Sequence, residues 1–224
     1  MDLNMTTLWL ETGYGSSREA VKAIEGARKL GYQVGWGNPE TTIGKTPVGS
    51  VDYCEDCLGY NPTPDFYPVF LHDWMHRRWG IRTGGARFLG DWFVKSAERY
   101  KAFPAKIVED SQEYPPGCLY LSEVVEFTQE WRYYVADGCV LETGWYDGDD
   151  ELEPAPELNI DWPKGFCGAV DFGRLSTGQI ALVESHHPYA CGWYGEDSAA
   201  FVMWLVEGWR YMLNLPEFPD SSRS

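Results

Sequence analysis

Three fragments, far apart in the chain, place charged side chains on or beside apolar runs. Phe93-Val94-Lys95-Ser96-Ala97-Glu98-Arg99-Tyr100-Lys101 gathers cations around an expected strand end. Glu123-Val124-Val125-Glu126-Phe127-Thr128-Gln129-Glu130-Trp131-Arg132 joins two apolar runs through a short polar hinge. Asp171, followed thirteen residues later by Glu184-Ser185-His186, sets acids and an imidazole on two successive expected strands. Cations for phosphate, a hinge for a base and acids for a divalent metal are what a nucleoside-triphosphate site requires.

Each fragment also has a plainer reading. Side chains at i and i+2 of a strand share a face, so Glu184 and His186 point the same way and Asp171 reaches them from its neighbour. Such a trio can hold Mg²⁺, which takes oxygens and keeps waters and phosphates as further ligands; an acid-x-His pair is also common without any metal. Lys95 follows three bulky apolar residues, so its stem is expected to be half-buried with the ammonium aimed into a cleft. Lys101 falls in a loop able to close over phosphates; two solvated lysines are the alternative. Backbone groups between Glu123 and Glu126 can hydrogen-bond an adenine edge, Glu130 can accept from ribose hydroxyls, and Arg132 shares its face. A salt-bridged β-arch accounts for the same residues.

The elements that must position these groups fall into two textures. Thr7–Leu10 reads as a strand and Ser17–Leu30 as a helix, with Ser16 and Glu19 as a capping box and Ala20, Ile24, Ala27 and Leu30 at helical spacing. Tyr32–Trp36 and Val48–Tyr53 are expected strands, and a helix is expected near Pro68–Trp79, before a Gly84-Gly85 link. After Arg87 apolar and polar residues alternate around residues 92–95, 119–121, 131–135, 140–141, 169–172 and 180–184, with turns at Asp137-Gly138, Asp147-Gly148 and Thr177-Gly178. Residues 147–163 are acidic and Pro-bearing, as in a surface loop, and Asp197–Leu213 closes the chain with an amphipathic helix. The expected class is α+β: a small N-terminal α/β lobe (1–88), an antiparallel-sheet region with a C-terminal helix (89–215) and a frayed tail (216–224).

Composition narrows the partners. The 224 residues include 16% aromatics, with 11 Trp and 14 Tyr, enough for a substantial core. A net charge of −16 repels nucleic-acid backbones and anionic membranes, although a local basic cleft can still take ATP. No apolar run approaches the roughly 18 residues of a membrane span. Met1-Asp2-Leu3-Asn4 lacks a basic signal-peptide start, so the expected compartment is the cytoplasm, where the six Cys stay reduced.

The fragments, in this order, resemble the ATP-grasp superfamily and within it the divergent R-two-K clade. The resemblance rests on Phe93-Val94-Lys95…Lys101-Ala102-Phe103, Glu123…Glu130-Trp131-Arg132, Val170-Asp171…Val183-Glu184-Ser185-His186 and Gly192-Trp193-Tyr194-Gly195. It covers residues 90–196, with a weaker echo at Pro47–Val51. It implies an ATP-grasp-like fold with nucleotide-binding lobes. It also implies that Lys95 and Lys101 hold phosphates, that the Glu123–Glu126 backbone (Glu123, Val124, Glu126) takes adenine and Glu130 ribose, and that Asp171, Glu184 and His186 bind Mg²⁺. The family has Asn at the position of His186 and an arginine two residues before the metal-binding acid, where this chain has Gly168-Ala169 ahead of Val170; Arg132 then supplies the catalytic cation, together with Lys101. The implied activity is an ATP- and Mg²⁺-dependent carboxylate–amine ligase working through an acylphosphate, with a peptide or protein among its conceivable substrates. The competing functional reading is an ATP-binding assembly factor with little turnover. A third follows from Cys54-x2-Cys57 and His72-x3-His76, which fit a zinc-finger spacing, although Asn61-Pro62-Thr63-Pro64 between them does not read as a finger's helix.

Overall fold

A computed structural model of the chain describes residues 6–83, 89–98, 102–110 and 112–215. The Gly84-Gly85 link, Lys101 and the tail after residue 215 lie outside them. The first elements are β1 (Thr7–Glu11), α1 (Arg18–Leu30), β2 (Gln33–Gly37), β3 (Thr46–Val48) and α2 (Val51–Leu58). β1 pairs in parallel with β2 on one side and β3 on the other. Parallel neighbours need a crossover, and α1 supplies it.

α1 starts where a side chain satisfies a free N–H. Ser17 caps it, accepting from Ala20 N at 3.0 Å, and Gly31 ends it at φ 72. The expected Ser16–Glu19 box is displaced by one residue: with Ser17 as the cap, Glu19 instead accepts from the Trp193 backbone N–H at 3.4 Å. The expected strand over Val48–Tyr53 also gives way. β3 stops at Val48, and Ser50 accepts from Tyr53 N at 3.2 Å, starting α2. The Val-Gly-Ser-Val-Asp-Tyr alternation mimics a strand, but a Ser cap with Asp in the first turn favours helix.

Where a helix was expected near Pro68–Trp79, a short 3-10 segment runs over Val69–Trp74 and ends before His76, whose φ is 46. The chain then extends into β4 (Trp79–Thr83), followed by β5 (Trp92–Ser96), β6 (Lys106–Val108) and β7 (Cys118–Glu123). These four make an antiparallel sheet in the order β4-β7-β5-β6. A second antiparallel sheet, β11-β10-β8-β9, is built from β8 (Phe127–Ala136), β9 (Cys139–Gly148), β10 (Gly168–Leu175) and β11 (Ile180–His186). Between β9 and β10 the acidic segment carries no regular element but is strapped to the sheet. Trp131 Nε1 donates to Glu153 O at 3.0 Å and Tyr133 OH to Pro156 O at 2.6 Å.

The last helix, α3 (Ser198–Asn214), is capped by Asp197 and buries Phe201, Trp204, Leu205 and Trp209 against α1, β1 and one face of β8 and β10. The opposite face, carrying Trp131, Tyr133, Val170 and Phe172, packs on Phe66, Tyr67, Leu71 and Met75. A smaller core lies among β5, β6 and β7. α1 and α3 touch closely enough that a Cβ at Gly26 would meet the Ser198 carbonyl oxygen at 1.9 Å. Overpacking of this kind costs about 1–3 kcal/mol, well above the helix-propensity gain of alanine. Gly26→Ala is therefore expected to lower the urea midpoint of the full chain without altering the slope.

Candidate functional site

The register of the second antiparallel sheet lines up charge. Asp171 on β10 is directly opposite Arg132 on β8 and Glu184 on β11. Directly opposed residues share a face, so Arg132, Asp171 and Glu184 form a row across three strands. A bulge on β11 leaves Val183 as the extra residue next to Glu184, re-aiming the strand end. His186, two residues on, returns to the same face.

The row is tightly paired. Asp171 is fully buried, and Arg132 grips it bidentately, Nε to Oδ1 and Nη2 to Oδ2, both at 2.7 Å. Burial alone would lower the Arg132 pKa, but the Asp171 carboxylate raises it well above the ordinary guanidinium value. Its guanidinium also lies over the Tyr146 and Tyr194 rings, at 4.7 and 5.4 Å. From the other sheet, Lys95 on β5 reaches across to Glu184 Oε2 while its ammonium sits 4.7 Å over the Phe66 ring. His186 Nε2 lies 2.9 Å from Glu184 Oε1 and 3.7 Å from Asp171 Oδ2. Burial pushes the Glu184 carboxyl up, but His186 and Lys95 outweigh it and hold it well below the carboxylate range. Burial pushes His186 down, and the two carboxylates more than reverse that.

Two cavities open on this cluster. The first, about 520 Å³, lies between the sheets and is lined by Lys95, Glu123, Val124, Val125, Glu130 and Glu184, with Phe93, Phe103, Ile107 and Phe127 as apolar walls. The second, about 660 Å³, lies toward α2 and includes Arg132 and Ser185. Both share Phe66, Tyr146, Glu184 and His186. Their sizes are those of small-molecule sites.

Residues 86–204, just over half the chain, match the family described as ATP-grasp domain, R-two-K clade family 2. The chain belongs to this ATP-grasp family. Comparison with curated proteins gives no match. Among solved structures it is similar to the RimK-domain ATP-grasp protein from Sphaerobacter thermophilus DSM 20745, with TM-score 0.55, 12% identity and coverage of 89% of this chain and 99% of that one. It is also similar to the ATP-grasp ligase PsnB complexed with a phosphomimetic variant of a minimal precursor, Mg and ADP, with TM-score 0.52, 9% identity and coverage of 93% and 98%. N5-carboxyaminoimidazole synthetase from Staphylococcus aureus gives TM-score 0.50, 9% identity and coverage of 93% and 78%. At these identities the likeness is one of fold: this is the fold of ATP-grasp ligases.

Set on that ATP-grasp frame, Lys95, Asp171, Glu184, His186 and Arg132 come together, and Lys95, Glu123, Val124 and Glu130 line one cavity. Glu123 is also an anchor: its carboxylate accepts from Arg78 N at 2.9 Å and Arg78 Nε at 2.8 Å, fixing where β7 stops. Glu126 is not among the residues lining either cavity, and its carbonyl accepts from Ser176 N at 3.1 Å. The backbone of Val124 and Val125 makes no such bond among the described residues. The zinc spacing does not produce a site. Cys54 is buried on α2 with its thiol turned to Gly49 O, whereas His72 packs on Trp79 in a different core and its Nε2 meets Tyr67 O at 2.9 Å. Among the described residues the only metal-competent cluster is Asp171, Glu184 and His186, whose ligand atoms lie within 4.8 Å of one another. Sequence reasoning missed Phe66 and Tyr146, since ordinary core residue types carry no signal of a cavity wall.

Glu130 stands apart electrostatically. Burial, and then repulsion from Asp171, Asp147 and Glu184, push its pKa up to about 7. A carboxyl raised above its unfolded value stays protonated in the folded state while the unfolded chain ionises, so stability falls as pH rises from the unfolded pKa to the folded one. Glu130→Gln mimics the protonated form. Its denaturation midpoint is expected to match the parent near pH 4 and to exceed it progressively up to pH 7; parallel pH profiles would contradict the assignment.

Proposed function

We propose that the protein is an ATP- and Mg²⁺-dependent carboxylate–amine ligase that forms an amide through an acylphosphate, and that a peptide or protein supplies the carboxylate or the amine. The observation that carries this is the meeting of Lys95 with Glu184, which sets an ammonium able to bind phosphate against an acid cluster at the junction of two cavities. The fold shared with PsnB, solved with a minimal precursor, supports a peptide-like substrate. In this reading residues 89–215 form the nucleotide-binding region and residues 1–88 the N-terminal lobe.

The first cavity takes the nucleotide. The Val124–Val125 backbone, unpaired among the described residues, meets the adenine edge between apolar walls, and Glu130 faces the ribose. Lys95 leaves Glu184 for the phosphate oxygens, and Lys101 is the second phosphate cation in this reading. Asp171, Glu184 and His186 hold the divalent ion. The donors fit one, because His186 Nε2 is buried between two carboxylates, 2.9 Å from Glu184 Oε1 and 3.7 Å from Asp171 Oδ2, with no well-aligned hydrogen bond among the described residues. Bound there, the ion neutralises developing triphosphate charge.

Arg132 sits at the second cavity with its Nε and Nη2 edge held by Asp171, which leaves the Nη1 side for a carboxylate or a transferring phosphoryl group. A substrate carboxylate oxygen bonds to the γ-phosphorus as the β–γ bridge breaks and ADP leaves. An amine then attacks the acyl carbon, phosphate departs and the amine proton is lost. The chain contributes positioning and fixed charge rather than covalent chemistry.

Mg²⁺–ATP is expected to raise the melting temperature, whereas ATP alone or Mg²⁺ alone is not. Phosphate release should require both a carboxylate and an amine; release independent of either points to the assembly-factor reading. Lys95→Ala removes the phosphate cation and should weaken nucleotide binding by at least about tenfold, the worth of a charge-assisted hydrogen bond. Unchanged affinity in a calorimetric titration would reject this nucleotide site.

A further inference from the structure

The donors beside the cavities are not oxygens alone. Both oxygens of Asp171 are bonded to Arg132, and Glu184 Oε2 is taken by Lys95. Asp171 therefore faces an incoming ion with its charge already compensated by Arg132, whereas Glu184 is freed for the ion when Lys95 turns to phosphate. His186 Nε2 is buried and paired with no cation; it faces Glu184 Oε1 at 2.9 Å and Asp171 Oδ2 at 3.7 Å, without the alignment of a hydrogen bond among the described residues. Its ring stands edge-on to Phe66, centroids 6.4 Å apart at 88°, so packing helps to aim the nitrogen at the carboxylates.

This is a mixed nitrogen–oxygen set in which the imidazole is the one ligand not bonded to a side-chain cation. Mg²⁺ dehydrates reluctantly and wants oxygens in near-ideal octahedral geometry. Imidazole suits the borderline first-row ions, whose affinity for such sites rises along the series from Mn²⁺ toward Cu²⁺. Compensation of Asp171 by Arg132 weakens the hard, charge-driven part of binding. A nitrogen ligand strengthens the part that Mg²⁺ cannot use.

We propose that His186 makes this site select a borderline transition ion of the Mn²⁺-to-Zn²⁺ series over Mg²⁺, with Nε2 as the deciding ligand. The inference rests on the ligase reading above, which places a divalent ion beside the nucleotide, and it changes which ion that is. Mg²⁺ still binds and supports turnover, but more weakly than Mn²⁺ at this position.

The test uses the full chain saturated with the non-hydrolysable analogue AMPPNP and with Mn²⁺ as the probe at pH 8. Electron spin-echo modulation of the bound Mn²⁺ should show coupling to an imidazole nitrogen in the unmodified protein and none in His186→Asn. Competition by Mg²⁺, followed through the free Mn²⁺ signal, gives the excess of Mg²⁺ that displaces half the manganese. The nucleotide's own ion preference is common to both proteins and cancels, so that ratio should fall by about tenfold in His186→Asn if imidazole sets the preference. A bound Mn²⁺ without nitrogen coupling overturns the inference, as does an unchanged ratio: either result makes His186 a fixed partner of the two carboxylates, and the ligase reading survives. Failure of AMPPNP to bind with any ion removes the ligase reading and this inference together. Should His186→Asn fail to fold, the spin-echo result on the unmodified chain still decides.

Discussion

The ionised form of a carboxylate with no solvent access is costly, and Asp171 has none. Leaving it uncompensated would cost several kcal/mol, more than most single interactions return. The fold answers with a guanidinium in bidentate contact, delivered by strict cross-strand register from β8. That pairing constrains everything around it. Because side chains alternate, placing Arg132 on the charged face commits Trp131 and Tyr133 to the opposite face and its aromatic core. A slip of one residue would bury Glu130 and Arg132 among Phe66, Leu71 and Phe172, and move Trp131 into the polar row. Charge pairing and hydrophobic burial thus select the same register.

The second constraint is how two antiparallel sheets meet without sealing the gap between them. Lys95 from one sheet and Glu184 from the other make the contact, and the hinge at residues 124–126 carries the chain from β7 to β8 with little backbone pairing. Glu123 is locked by Arg78, so the hinge begins at a defined place rather than as a loose loop. On the far side, α3 lies across both the parallel sheet and β8, and Trp204 Nε1 donates to Gly168 O at 3.1 Å just where β10 starts. The cavities are what remains when these contacts are satisfied and the aromatic side chains have been accommodated.

How much of this could be read from residues depends on how local the signal is. The alternation in β8, β10 and β11 is strong because each strand separates two unlike environments, and its period survives in the sequence. Register across neighbouring strands then follows closely enough to anticipate that Asp171, Glu184 and His186 share a face. β6 is three residues long, too short for any period, and β4 begins at Trp79, where the expected Pro68–Trp79 helix would have ended. α2 shows the same ambiguity resolved by a single Ser50 cap. Least legible is the approach of Lys95 to Glu184, separated by 89 residues and belonging to different sheets. Nothing local encodes that distance; family resemblance, not patterning, led to it. Cys54, Cys57, His72 and His76 illustrate the converse, since a correct spacing does not converge when the intervening chain packs its ends into separate cores.

The charge network is self-contained in the ligand-free protein: Lys95, Glu184, His186, Asp171 and Arg132 alternate in sign when His186 is protonated. Such a chain has little net field to attract a lone anion, and the −16 charge of the whole protein opposes one further. A triphosphate arriving alone would have to draw Lys95 away and leave Glu184 without its closest cation. A triphosphate arriving with a divalent ion exchanges partners instead, the ion going to Glu184 and the phosphate to Lys95. Each charged group then ends with an opposite neighbour and none is stranded in the low-dielectric interior. In the proposed reading, a preference for a metal-bound nucleotide follows from conserving pair number inside a buried network, before any account of catalysis is needed.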